Sequence, residues 1–339
     1  IEMNKLLIGT AAIALFASPA LAAPMGVTVG GYYNALVYSQ DVDDLDTRDI
    51  GIHNDAEIIF KGKGKLNNGM EVGFQVQLEA EGAGESDHID ENYVYVKGGF
   101  GKIEVGAENN AAYKQQVSAP KPFGWKTYDN NSKTWSGVIG GTKVSSYDKP
   151  LMDDIDSDAL KINYYSPKVS GFQFAYSMTP DTSDKNGDTD LYKDTGSGEA
   201  TAYGIKYSGK IGGMKVQASY GVNELDEDPG KSTAEDSAFG LSISSGNFTI
   251  GGNTATIERG VNETDILHYG IEYKLSKASK IGLIIHDQEN ADDTQLDILA
   301  VGGSTKLGGG TTLTYSYESL EDDTYGDSEF IGVGLLLKF

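Results

Sequence analysis

Histidine and cysteine are the side chains best suited to proton transfer and nucleophilic chemistry near neutral pH, and this chain is poor in both. Its 339 residues include four histidines and no cysteine. His53 and His88 fall in predicted loops, and His268 and His286 fall on the polar faces of predicted strands. No catalytic motif surrounds any of them. The absence of cysteine excludes a disulfide scaffold, a thiolate metal site and a cysteine nucleophile.

Carboxylates dominate the ionisable residues. The chain has 50 Asp and Glu against 27 Lys and Arg, a formal net charge of -23 and a sequence pI near 4.4. Such a surface repels nucleic acid and attracts cations, so we expect no nucleic-acid partner. The acids concentrate in a few connections, such as 41–46, 223–228, 287–293 and 318–323.

One acidic segment has alternating oxygen ligands of the kind that calcium requires. The candidate ligands are Asp184, Asn186, Asp188 and Asp190. The calcium-loop pattern of EF-hands fails here, because Thr189 occupies the glycine position and Thr195 the bidentate glutamate position. A solvated acidic loop is therefore the preferred interpretation, with a Ca²⁺ site as the alternative. We expect no other cofactor.

The elements that carry these residues alternate at period two, as half-buried strands do. Roughly sixteen strands are predicted, each about as long as a tilted membrane strand. Their ranges are 26–40, 54–66, 70–82, 89–98, 101–109, 159–167, 171–179, 200–209, 213–223, 236–245, 247–256, 264–275, 279–288, 294–305, 311–320 and 328–339. Short turns rich in Gly, Asn, Ser or Lys alternate with longer acidic loops. This parity is typical of an up-and-down outer-membrane barrel.

The predicted strands have one apolar and one polar face. The third strand places Val72, Phe74, Val76 and Leu78 opposite a polar face that includes Glu71 and Glu79. The polar face of the second strand carries Lys61, Lys63 and Lys65, and that of the fifth carries Lys102, Glu104 and Glu108. Faces this polar suit a water-filled lumen, with the apolar faces turned to lipid.

Both ends of the chain fit this interpretation. Lys5, an apolar run over 6–17 and the Ala20-Leu21-Ala22 sequence predict a signal peptide over 1–22, cleaved between Ala22 and Ala23. The last strand has an unbroken apolar row at period two, formed by Ile331, Val333, Leu335, Leu337 and Phe339. We therefore expect 23–339 to form one transmembrane domain.

The connection over 109–158 stands apart because it lacks clean alternation. It contains Pro120, Pro122 and an acidic cluster over 153–158. Long inserts in compact domains are uncommon and are often functional.

These features resemble the general porins of Gram-negative bacteria, which are sixteen-stranded and trimeric. The resemblance rests on 26–33, 91–106, 164–172 and the terminal Phe339, together with the signal sequence. It implies an all-β transmembrane antiparallel barrel in the outer membrane, with both termini periplasmic and a long third loop folded into the lumen. It also implies a homotrimer in contact with lipid and lipopolysaccharide. The apolar row that ends in Phe339 resembles the signal read by the barrel assembly machinery.

The resemblance further implies a constriction where acidic loop residues face a basic wall. The acidic candidates are Asp129, Asp148, Asp153, Asp154, Asp156 and Asp158. The basic candidates are Lys61, Lys63 and Lys65, for which a solvated rim is the alternative interpretation. Family members often carry Arg or Lys at the end of the fifth strand, where this chain has Ala107-Glu108. That departure weakens any preference for anions.

The expected function is a diffusion channel, not an enzyme, that passes small hydrophilic solutes and ions with a weak to moderate preference for cations. Three alternatives remain at this stage. They are a barrel enzyme, a substrate-specific channel for sugars or small organic acids, and a structural surface barrel. Tyr93 and Tyr95 lie on a polar face, and for this reason the sugar-specific channel is kept as an alternative.

Overall fold

The fold is an antiparallel β-barrel in a computed structural model that describes residues 25–43, 47, 49–80, 89–123, 138–139, 142–143, 155–183, 198–226 and 234–339. Sixteen strands form the barrel, in chain order. They are β1 (Gly26–Val42), β2 (Gly51–Lys65), β3 (Glu71–Glu79), β4 (Ile89–Gly98), β5 (Gly101–Ala107), β6 (Leu160–Tyr165), β7 (Phe172–Thr179), β8 (Glu199–Ile211), β9 (Met214–Asp226), β10 (Ala234–Ser245), β11 (Phe248–Arg259), β12 (Asn262–Lys274), β13 (Ser279–Glu289), β14 (Gln295–Gly308), β15 (Thr311–Asp322) and β16 (Ser328–Lys338).

Every barrel strand pairs antiparallel with its neighbours in sequence, and β1 closes the ring by pairing with β16. The closing register runs from Tyr32 opposite Lys338 to Val42 opposite Ser328. The backbone of Phe339 extends this ladder by exchanging two hydrogen bonds with Gly31, at 3.1 and 3.2 Å. Closure leaves no sheet edge, which is the condition for strands to cross lipid. The predicted fold class is confirmed.

Short turns join β2 to β3, β4 to β5 and so on around one end, which we call the turn rim, and the longest connections lie at the other end, the loop rim. The predicted alternation of short and long connections fails between β11 and β12, because only residues 260 and 261 join these strands at the loop rim. At the turn rim, Gly69 and Gly246 have φ of 83° and 56°, which favours glycine over residues with a Cβ atom. Several strands reach further toward the loop rim than predicted, and β1 extends to Val42.

The two faces of the strands are also as predicted. Ile331 and Val333 on β16 are 58% and 52% exposed on the outer face, whereas Phe330, which precedes Ile331, is 1% exposed on the inner face. A β-bulge in the β3–β4 pairing, between Val76 and Leu78, shifts the register at the loop-rim end of β4.

Helical structure is confined to one short segment of the described residues, α1 (Ala111–Gln115). Within these ranges, no helix is long and apolar enough to cross a bilayer.

Candidate functional site: the inserted loop and the lumen walls

The connection between β5 and β6, which we call the inserted loop, enters the barrel as α1. Asn110 is the N-cap of this helix, and its side-chain oxygen accepts a hydrogen bond from the Tyr113 amide at 2.9 Å. A two-residue ladder further along the loop pairs Val138–Ile139 with Thr142–Lys143. The contacts with the barrel described below are made by residues within 108–123 and 155–159.

Buried polar contacts join the two ends of the inserted loop. The Asp156 carboxylate accepts hydrogen bonds from Asn110 Nδ2, at 3.0 Å, and from the Thr179 hydroxyl on β7. Lys161 Nζ on β6 lies 3.6 Å from this carboxylate and donates to the carbonyl of Glu108, where the loop begins. Because Asp156 is 3% exposed, the prediction that it lines the pore is wrong; its carboxylate holds the loop ends together.

A second ion-pair cluster fastens α1 to β5. Lys114 Nζ lies 3.1 Å from Glu104 and 3.2 Å from Glu108, and Lys102 Nζ lies 2.6 Å from Glu104. Glu104 and Glu108 are 2% and 4% exposed, so the prediction that they line the pore is also wrong. The lysines neutralise their charge beneath the loop, whereas Lys102 itself remains partly exposed.

From the start of α1 onward, the loop follows the inner wall from strand to strand. The Ala111 amide donates to Ser177 Oγ on β7 at 2.6 Å, and the Val117 amide donates to Ser219 Oγ on β9 at 2.8 Å. Further contacts follow in order around the barrel. Ser118 Oγ donates to Asn253 Oδ1 on β11 at 2.6 Å, and Lys280 Nζ on β13 donates to the Lys121 carbonyl.

The described path of the loop ends in an apolar cluster. Phe123 is fully buried there with residues from the inner faces of β1, β13, β14, β15 and β16. The cluster comprises Leu36, Ala119, Phe123, Ile284, Leu296, Ile298, Ala300, Leu320 and Phe330, with Tyr38 stacked on Phe330 at 5.4 Å. The polar, water-filled inner face expected from strands such as β2, β3 and β5 is therefore replaced on this side by a dry, apolar surface. Sequence analysis missed these residues, although their apolar side chains at inner-face positions were a visible signal.

His268 and His286 belong to this same side of the barrel. Both have the inner-face parity that the sequence predicted, and their rings pack edge to face at 5.9 Å. Both are buried, so they do not line the water-filled space as expected.

Another part of the inner face, on β2 to β4, carries exposed charges. Lys61, Lys63 and Lys65 share the inner face of β2 toward the turn rim, and Lys63 is 65% exposed in its side chain. Lys63 Nζ lies 2.8 Å from Glu71, which also accepts a hydrogen bond from Tyr95 at 3.1 Å.

Toward the loop rim, this wall becomes acidic. Carboxylate oxygens of Glu57, Glu79 and Asp90 lie within 4.8 Å of one another. Sequence analysis named Glu79 but missed Glu57 and Asp90. Glu57 sits directly opposite Glu79 in the β2–β3 register, so correct hairpin pairing was the signal that could have found it.

Asp158 is half-buried where the inserted loop returns to β6. The other acidic loop candidates, Asp129, Asp148, Asp153 and Asp154, lie outside the described residues. So do the Ca²⁺ candidates Asp184, Asn186, Asp188 and Asp190, and the cleavage residues Ala20, Ala22 and Ala23.

Similar folds occur among solved outer-membrane proteins. The anion-selective porin from Comamonas acidovorans has a TM-score of 0.65 at 15% identity, covering 93% of this chain and all of that chain. OmpF of Salmonella typhi, in complex with daunomycin, has a TM-score of 0.65 at 14% identity, covering 94% of this chain and all of that chain. Similarity at these identities shows the fold alone.

Relatives in sequence are uncharacterized proteins of Rickettsia. One from Rickettsia conorii is 24% identical over 143 residues, which is 38% of this chain and 33% of that protein. One from Rickettsia felis is 26% identical over 115 residues, which is 30% of this chain and 26% of that protein. This chain thus spans a third or less of the curated relatives that it matches.

The family is shown by a match that covers nearly the whole chain. The sequence profile described as Gram-negative porin matches residues 9–334. The match includes all the strands except the last residues of β16, and it agrees with the closed sixteen-strand barrel. This chain therefore belongs to the Gram-negative porin family.

Proposed function

We propose that this protein is a diffusion channel for small hydrophilic solutes and ions, with a weak to moderate preference for cations. The porin family and the barrel indicate the outer membrane as its location. Family and fold are those of channels without enzymatic activity, so the barrel-enzyme alternative is not retained.

The observation that carries the proposal is that the inserted loop covers one part of the inner face and leaves exposed charges on another. The described part of the inserted loop packs along β7 to β14, whereas the inner face of β2 presents exposed lysines. Exposed charges on the inside of a closed barrel require water, since burial of an unpaired ion is costly. A hydrated inner wall is what diffusion of polar solutes needs.

The preference for cations follows from charge. A net charge of -23 depletes anions around the protein and concentrates cations. Asp292 illustrates how the loop-rim charge persists, because its hydrogen bonds from the Thr294 hydroxyl and amide lower the pKa of this carboxylate. The Comamonas relative is named anion-selective, but its likeness to this chain extends to the fold alone.

A homotrimer is the proposed assembly, and the family resemblance supports it. One similar structure, OmpT of Vibrio cholerae, is described in a trimer form. Outer-membrane lipid, lipopolysaccharide and the barrel assembly machinery are the further partners proposed. The acidic loop at 184–190 is proposed to be solvated, with a Ca²⁺ site as the alternative.

A substrate-specific channel for sugars is the second candidate, because aromatic residues line the inner face of β4. Tyr93 lies beneath Lys114 Nζ at 5.0 Å from its ring centroid, and the Tyr95 hydroxyl donates to Glu71. Lys114 thus occupies one face of the Tyr93 ring, and Glu71 occupies the Tyr95 hydroxyl. Because these groups are then less available to stack on or bind a sugar, the contacts favour the general channel.

The test is planar-bilayer conductance of the refolded protein, with the reversal potential measured under a KCl gradient. Ohmic conductance in steps of three with a reversal potential on the cation side supports the proposal. A folded barrel that conducts with anion preference contradicts the charge argument, and one that does not conduct contradicts the channel. Saturable block by a sugar favours the specific channel.

A further inference from the structure

The inner wall is free of side chains where the inserted loop lies closest to it. Gly240 on β10 faces the loop backbone so closely that an added Cβ atom would lie 1.7 Å from the Val117 carbonyl oxygen and 2.6 Å from its carbon. Both distances are far inside van der Waals contact. Glycine within a strand often marks the close approach of another backbone, and that is its position here.

Other glycines repeat this arrangement along the path of the loop. A Cβ atom on Gly204 of β8 would lie 3.3 Å from Ala112 Cα, and one on Gly282 of β13 would lie 2.7 Å from Pro122. Between them, Ser219 on β9 and Asn253 on β11 bond to Val117 and Ser118. Glycines thus let the loop approach the wall closely, and polar side chains on the strands between them form hydrogen bonds with the loop.

From this arrangement of glycines and polar side chains we infer that Gly240 is a positioning residue. It sets how far the inserted loop stands from the wall and hence the open cross-section of the channel. The effect on conductance rests on the proposed function, whereas the seating of the loop does not. A methyl group at 240 contacts backbone atoms of Val117, which cannot turn aside as a flexible side chain can. The hydrogen-bonded ladders of β9, β10 and β11 resist outward movement, so the loop must shift toward the barrel axis by more than about 1 Å.

Seating is measured by chemical labelling without any reference to conductance. Val117 is buried and the chain has no cysteine, so Val117→Cys provides a single thiol that reports on loop release. In folded protein, Gly240→Ala is expected to raise the maleimide labelling rate of this thiol roughly tenfold or more, the scale on which overpacking shifts a local opening equilibrium. Single-channel conductance of Gly240→Ala, with Val117 retained, is expected to fall.

The matched control is Gly26→Ala at the turn-rim end of β1. Its Cβ atom would meet only the Lys63 carbonyl oxygen, at 4.0 Å, so it tests the generic effect of replacing glycine in a strand. Labelling in this background is expected to stay within about twofold of the parent. The labelling rate in Gly204→Ala, where the added methyl group makes a milder contact, is expected to fall between those of Gly26→Ala and Gly240→Ala. Gly204→Ala replaces Gly240→Ala as the test if the latter does not fold.

The outcomes separate the two proposals. Unchanged labelling in folded Gly240→Ala, or no order among the three variants, overturns the inference. Faster labelling with unchanged conductance overturns the assignment of Gly240 to the channel cross-section. If the parent protein does not conduct, the proposed function fails, while the labelling series still decides whether Gly240 seats the loop.

Discussion

The inner face of this barrel has two walls built on opposite physical principles. The seating wall, β7 to β14, offers glycine, serine, asparagine and buried apolar residues to the inserted loop. The charged wall, β2 to β4, presents lysines toward the turn rim and carboxylates toward the loop rim. Strand order places these walls across the lumen from each other.

The difference indicates that the two walls have separate roles. One wall holds the loop, and two of its ion pairs are Lys280 with Glu272, at 2.9 Å, and Arg259 with Asp236. The other wall is left to water and to the electrostatic field of the channel. A porin wall is therefore not uniformly polar, because a loop folded inside a barrel needs a dry surface on which to pack.

The sharpest test of this comparison places the same charge on both walls. Ile284 on β13 is fully buried in the apolar cluster, and Ile59 on β2 is a half-buried residue of the charged wall. Ile284→Lys is expected to lower the free energy of unfolding by ~4 kcal/mol, because an ammonium replaces a fully buried side chain of the apolar cluster. Ile59→Lys lies near Glu57 and Glu79, so we expect a change within ~1 kcal/mol. Urea-induced unfolding in detergent micelles, followed by fluorescence, measures the free energy of unfolding of both variants. Equal losses of stability would contradict the proposed difference between the walls.

The second test removes the buried cation that joins the loop ends. Lys161→Met leaves Asp156 and the Glu108 carbonyl without their ammonium partner in a dry site, with an expected loss of ~3 kcal/mol. Lys61→Met, on the charged wall, removes a solvated lysine and is expected to be nearly neutral. The same unfolding measurement compares them. A neutral Lys161→Met would mean that the loop ends are held by the remaining contacts alone.

Much of the barrel could be predicted from sequence because its signals are local. Alternation at period two and glycine turns such as Asn67-Asn68-Gly69 lie within one hairpin, and every predicted strand is present. The outer face of β16 is as predicted because lipid imposes one requirement on all its residues.

The site was less predictable because its determinants are not local. Nothing in the order of residues shows that Lys114 neutralises Glu104, or that Asp156 meets Asn110, 46 positions earlier. Carboxylates that line water and carboxylates buried in ion pairs have the same residue type and the same strand parity. Only the path of the loop distinguishes them, and that path depends on glycines and serines whose role emerges in three dimensions.

A smaller test probes a single attachment point on the seating wall. Ser219→Ala removes the acceptor of the Val117 amide, and a lost hydrogen bond of ~1 kcal/mol corresponds to roughly fivefold faster exchange of that amide with deuterium. Ser244→Ala is the control, because Ser244 Oγ bonds to Thr249 within the sheet and away from the loop. Unchanged exchange at Val117 would show that Gly240 and the apolar cluster hold the loop without this bond.

The smallest expected effect concerns the field of the charged wall. Neutralising Lys61 and Lys63 with glutamine removes two positive charges from the inner face of β2 and breaks the ion pair of Glu71 with Lys63, at 2.8 Å. We expect the cation-to-anion permeability ratio to rise about twofold, since partly screened charges near a solvated path are each worth only tenths of a kcal/mol. Reversal potentials under KCl gradients measure the ratio, and the effect should shrink as salt is raised. The control is Lys168→Gln with Lys277→Gln, which changes net charge equally at exposed turn-rim positions and should leave the ratio unchanged. Equal shifts from both pairs would assign selectivity to net charge, and the charged wall would lose its separate role.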